Sequence, residues 1–120
     1  MRVELAREYR FEASHRLPRV QANHRCAREH GHSYRVEIVL AGTVDEDTGF
    51  LVDYADMDRA MAPLLECLDH HSLNEVAGLE NPTSEMLARW LWDGLLLSLP
   101  LLREVTVYET WRSRCTYRGE

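Results

Sequence analysis

The chain reads as an α+β fold, a four-stranded antiparallel sheet with two helices packed on one face. Three observations predict it. Tyr34, Val36, Ile38 and Leu40 alternate with other residues, the period of a half-buried strand. Two stretches, one ending near Leu68 and one beginning at Asn81-Pro82-Thr83-Ser84-Glu85, carry apolar residues at helical spacing. Alternating segments near both chain ends complete the order β-β-α-α-β-β.

Taken in order, residues 2–11 alternate apolar and polar and predict the first strand. Residues 13–30 are polar and Arg-rich with no period, which predicts a long loop of the kind that carries function. The second strand occupies 31–43, and Asp45-Glu46-Asp47-Thr48-Gly49 is a turn. Asp53 or Asp56 caps the first helix, with Tyr54, Met57, Met61, Leu64, Leu65 and Leu68 on one face. Pro63 falls inside that pattern and predicts a kink or a late start. Leu87, Trp90, Leu91 and Leu95 continue the second helix, and Pro100 ends it. Val105, Val107 and Glu109 alternate in a third strand, and Cys115–Tyr117 form a fourth.

At 120 residues the chain has the length of a single domain, 1–120. No apolar run reaches the roughly 18 residues of a membrane span. The first residues lack a signal-peptide pattern, and three widely spaced Cys fit a reducing cytoplasm. The net charge of −6 argues against nucleic acid as a partner. It is unevenly placed: residues 1–36 carry +4 and residues 37–120 carry −10, so the basic end suits a small anionic ligand. All 14 basic residues are Arg, which excludes a Schiff-base or phosphate-loop lysine.

His30-Gly31-His32 opens the second strand, and residues two apart on a strand share a face. If the first two strands are antiparallel neighbours, His15 comes beside them. Three imidazoles with one open position make the catalytic zinc pattern. His24 is a loop residue outside this set. Cys26 lies in the basic stretch Arg25-Cys26-Ala27-Arg28, where its thiol can serve as a nucleophile or base, as a fourth ligand, or in no role. Asp69-His70 follows the first helix, either as an acid/base pair oriented by the carboxylate or as a helix-end His favoured by the dipole. Glu109 on an apolar strand needs a partner if buried, such as adjacent N–H groups of an aminopyrimidinone, or else faces outward.

Phe11-Glu12-Ala13-Ser14-His15-Arg16-Leu17, Cys26-x-x-x-His30-Gly31-His32, Leu68-Asp69-His70, Asn81-Pro82-Thr83-Ser84-Glu85 and Val107-Tyr108-Glu109-Thr110 together resemble the 6-pyruvoyl-tetrahydropterin synthase family, nearly end to end. The resemblance is closest to the bacterial branch that makes 6-carboxy-tetrahydropterin for queuosine, where three residues also separate the Cys from His-Gly-His. It implies a tunnelling fold whose sheets join into an oligomeric barrel, two rings forming a homohexamer with active sites between subunits. It implies Zn2+ on His15, His30 and His32, a proton-abstracting Cys26, and an Asp69–His70 acid/base pair. It also implies a pterin anchor at Glu109, with Thr83 and Ser84 near the ring. The implied substrate is 7,8-dihydroneopterin triphosphate. A pyruvoyl-forming synthase and a non-catalytic zinc- or pterin-binding protein are the competing expectations.

Overall fold

The computed structural model describes residues 1–120. Strand β1 (Arg2–His15) and strand β2 (His30–Thr43) pair antiparallel over their whole lengths, from Arg2 opposite Thr43 to His15 opposite His30. Helix α1 (Tyr54–Leu68) follows, then the two-residue strand β3 (His71–Ser72), helix α2 (Ser84–Leu95), and strands β4 (Leu102–Thr110) and β5 (Ser113–Tyr117). The sheet order is β3-β1-β2-β4-β5.

The sheet therefore has five strands where the sequence predicts four. The addition is β3, which pairs parallel with Ala13 and Ser14 of β1. Two residues are too short for any periodicity, so nothing in the sequence marks them. Strand β1 also continues past Phe11 to His15, and the loop starts only at Arg16. Phe11, Ala13 and His15 are all buried, so the alternation persists while the residue types turn polar.

One face of the sheet is apolar: Phe11, Tyr34, Val36, Ile38, Leu40, Val105 and Val107 lie in one core with Met57, Met61, Leu87 and Leu91 from the helices. Phe11 stacks on Tyr34 with centroids 4.9 Å apart. Asp53 caps α1, accepting from the Ala55 N–H, and the helix passes through Pro63 without ending. Met57, Met61 and Leu68 are buried on either side of that proline, so tertiary packing holds the helix together there. Tyr54, expected on the buried face, is instead exposed with Arg7 over its ring. All three cysteines are free thiols, and no helix is long and apolar enough to cross a membrane.

Candidate metal centre and active site

The site is built where the apolar face of the sheet runs out. Tyr34, Val36 and Ile38 point to the helix side, and by the same period so do His32 and His30. The register sets His15 opposite His30 and Ala13 opposite His32, so His15 joins the same face. Glu109 follows Val105 and Val107 on β4 in the same alternation. His15, His30, His32 and Glu109 consequently place one ligating atom each within 4.8 Å of one another. Cys26 is not in this quartet; the fourth member is the Glu109 carboxylate.

Backbone carbonyls fix two of the imidazoles. His15 Nδ1 donates to Pro82 O at 2.8 Å, with Tyr34 Oη 3.2 Å from the same nitrogen. His30 Nδ1 donates to Arg28 O at 2.7 Å. Each ring then presents the Nε2 lone pair, and the two Nε2 atoms face each other at 3.0 Å. Two bare lone pairs at that distance repel unless a cation or proton lies between them. His32 Nε2 is buried with no hydrogen-bond partner, although Glu109 Oε1 is 2.9 Å away. The three rings stand edge to face, 67–90° apart, around a common point. A divalent ion bound by imidazoles at about 2.0–2.1 Å fits this donor set.

The electrostatics follow from the contacts. Glu109 is held down to about 2, first by the neighbouring His15 imidazole, then by Ser84 Oγ, which donates to Oε2, with burial opposing. Burial works against a charged His15, but the nearby Glu109 carboxylate and the bond to the Pro82 carbonyl outweigh that and raise its value. His32 is lowered, chiefly by burial. Its Nε2 lies 2.9 Å from Glu109 Oε1, nearer than the 3.6 Å of His15 Nε2, yet burial outweighs the pull of the carboxylate there.

The remaining predicted residues surround this centre. Cys26 sits in a short 3-10 turn, its N–H accepted by His24 Nδ1 at 3.0 Å and its carbonyl accepting from Leu17 N–H at 2.7 Å. It lines a cavity of about 710 Å3 with Arg25, Arg28, His30, His32 and Glu109, a size that suits a small molecule. Asp69 ends α1, and its carboxylate accepts from Glu12 N–H at 2.9 Å and lies 3.0 Å from His70 Nδ1. Asp69 is lowered, chiefly by the Glu12 N–H. His70 takes a left-handed φ of 59°, and its N–H donates to Glu12 O at 2.6 Å, so β1 clamps the turn. His70 lines a neighbouring cavity of about 530 Å3 rather than the Cys26 cavity, with His32 common to both. Thr83 caps α2, accepting from Met86 N–H, while Ser84 holds Glu109.

Three contributors carry no sequence signal as site residues: the Pro82 carbonyl, the Arg28 carbonyl and the Tyr34 hydroxyl. Their roles come from backbone direction and from burial beside His15. A separate cavity lined by Leu40, Val52 and Leu101 lies ten residues along β2 from His30 and holds none of the quartet.

Residues 4–120 match the family described as 6-pyruvoyl tetrahydropterin synthase. The chain is 38% identical over 117 residues to a 6-carboxy-5,6,7,8-tetrahydropterin synthase of Synechocystis sp., covering 92% of this chain and 89% of that protein. It is 32% identical to a protein of the same name from Bacillus subtilis, covering 96% and 84%. Its fold is similar to that of Caenorhabditis elegans 6-pyruvoyl tetrahydropterin synthase, with a TM-score of 0.91 at 28% identity, over 100% of this chain and 97% of the other. With the family's sequence and its fold on one chain, and a His/His/His/Glu quartet that could hold a metal, the protein belongs to the 6-pyruvoyl tetrahydropterin synthase family.

Proposed function

We propose that the protein is a zinc-dependent 6-carboxy-5,6,7,8-tetrahydropterin synthase that converts 7,8-dihydroneopterin triphosphate and one water to 6-carboxy-tetrahydropterin, triphosphate and acetaldehyde, in the route to queuosine. The observation that carries this reading is the convergence of His15, His30, His32 and Glu109 on one point, with His30, His32 and Glu109 lining the cavity that also contains Cys26. The bacterial relatives bearing that enzyme's name support it.

The donor set suits zinc, because imidazole nitrogens and one carboxylate oxygen are its ordinary ligands. When bound, zinc supplies Lewis acidity that lowers the pKa of substrate hydroxyls. The chain's own residues do the rest. Glu109, fully ionised near neutral pH, accepts the paired N–H groups of the pterin's aminopyrimidinone edge, with Thr83 and Ser84 beside the ring. Arg25 and Arg28 line the cavity and meet the triphosphate. Cys26, as thiolate, takes the proton from the side-chain carbon. His70, its Nδ1 held by Asp69, leaves Nε2 free to move a proton on the opposite side. The wide exposure of His70, at 77%, fits a group that completes a site shared with another subunit.

The test is incubation of the zinc-loaded protein with 7,8-dihydroneopterin triphosphate, with products identified by mass spectrometry. Wild type yields 6-carboxy-tetrahydropterin and acetaldehyde. Cys26→Ala retains the metal and loses turnover by about 100-fold or more. A pyruvoyl product moves the chain to the sister activity named for the nematode relative. Unchanged substrate favours a binding protein.

A further inference from the structure

We propose that Glu109 closes the metal centre in the resting protein and that the ring of an incoming pterin draws it off, so that recognition of the ring opens the coordination position. The proposal rests on the pterin reading given above and assigns Glu109 a role in the resting state that ring anchoring alone does not require.

The geometry carries it. Four ligands at about 2.0–2.1 Å from a tetrahedral ion lie about 3.3 Å from one another. His15 Nε2 and His30 Nε2 are 3.0 Å apart. Glu109 Oε1 is 2.9 Å from His32 Nε2 and 3.6 Å from His15 Nε2. These three of the six edges bracket the tetrahedral value, while the His30 to Glu109 edge is longer and within 4.8 Å, so Glu109 Oε1 stands at the open side of the three imidazoles, nearest His32 and His15. The two oxygens of the carboxylate are divided: Ser84 Oγ holds Oε2, and Oε1 is turned to the imidazoles. That is the pose of a carboxylate binding through one oxygen.

The same carboxylate cannot keep this pose and also receive the two adjacent N–H groups of an aminopyrimidinone, which need both oxygens. Ring binding therefore costs the Glu109 contact to the ion, and a donor on the substrate's side chain replaces it. One metal–oxygen contact is lost and one gained, while the ring N–H groups compensate the displaced negative charge. Small anions and water meet a filled position until a ring arrives, which limits side reactions at the ion.

The test uses the full chain loaded with Co2+, read by visible absorption, with azide as the probe of an open position. Glu109→Gln, checked for folding by circular dichroism, is expected to bind Co2+ about 10–100-fold more weakly. It is also expected to bind azide more tightly than wild type. Ser84→Ala, which keeps the carboxylate but frees Oε2, gives an intermediate azide affinity. Adding 7,8-dihydropterin without a side chain raises the azide affinity of wild type towards that of Glu109→Gln and leaves that of the variant unchanged. Equal Co2+ and azide affinities in wild type and a folded Glu109→Gln overturn the resting ligation. A ring that binds by calorimetry without changing the cobalt spectrum overturns the exchange. A ring that does not bind refutes the exchange and the pterin reading together, while the ring-free cobalt comparison still decides the resting role of Glu109.

Discussion

Three side chains of the quartet are aimed by groups outside it, and His32 by its strand alone. His15 is held by the Pro82 carbonyl, His30 by the Arg28 carbonyl, and Glu109 by Ser84. Replacing His32 by Ala removes a donor that nothing else in the cluster can supply, and metal content measured by plasma mass spectrometry is expected to fall from one ion per chain to background. The three histidines were legible because strand period and antiparallel pairing are short-range rules: residues 30 and 32 share a face, and a tight pairing brings residue 15 to them. Glu109 was legible as a carboxylate needing a partner, but not as a member of the cluster. Its place depends on the β2–β4 register, which shifts at Val39/Leu40, and no local pattern encodes that. His24 reads correctly as a loop residue, yet its ring also holds the backbone of Cys26.

At the scale of elements, the start of α2 is the lid of the site. The cap at Thr83 sets the first turn, and that turn carries both the Pro82 carbonyl and Ser84. Thr83→Ala is expected to cost about 1 kcal/mol of stability in denaturant unfolding. It also loosens metal binding, because the same turn aims His15 and Glu109. Leu91, fully buried between α2 and the sheet, is expected to cost about 2–5 kcal/mol when cut to Ala. At the other end, Arg7 and Tyr9 of β1 both bond Asp58 of α1. Arg7 and Tyr9 hold the Asp58 carboxyl below its ordinary value, so that link is present above the carboxylate range and is lost as pH falls through the depressed value. Burial, with the Asp58 bond, raises Tyr9, so its contribution is present below the ordinary tyrosine value and is lost as pH climbs past it. Thermal melts against pH are expected to lose part of their acid limb in Asp58→Asn and part of their alkaline limb in Tyr9→Phe. Helix ends were the legible part of these elements, through Asp53 and Asn81-Pro82-Thr83. β3 was not, since two residues acquire strand geometry only by docking on β1.

As a whole molecule the chain is long and thin, 58 × 23 × 23 Å. Its radius of gyration of 15.6 Å exceeds the about 13.6 Å of a compact chain this size. Its accessible surface of 7572 Å2 exceeds the about 6,700 Å2 of a typical monomer. The 14-residue strands account for the length, and the five-residue β5 leaves an open sheet edge. These properties support the proposal that sheets join into a barrel and the chain works as a homohexamer, with His70 reaching a neighbour's Cys26 cavity. Light scattering is expected to return six times the 14.0 kDa chain mass, and a monomer would contradict it. The fold class was legible because each element's period agreed with the next. Assembly was not, because one chain's periodicity says nothing about its neighbours.

The most direct test of the central claim, that an ion on His15, His30 and His32 makes this chain a pterin synthase, is metal-dependent turnover. Protein stripped by chelation and reloaded stepwise with Zn2+ is given 7,8-dihydroneopterin triphosphate, and 6-carboxy-tetrahydropterin is followed by mass spectrometry. Stripped protein is expected to give no product, and activity is expected to rise with zinc and saturate at one ion per chain. Product formed equally well without metal, or none at full zinc loading, would contradict it.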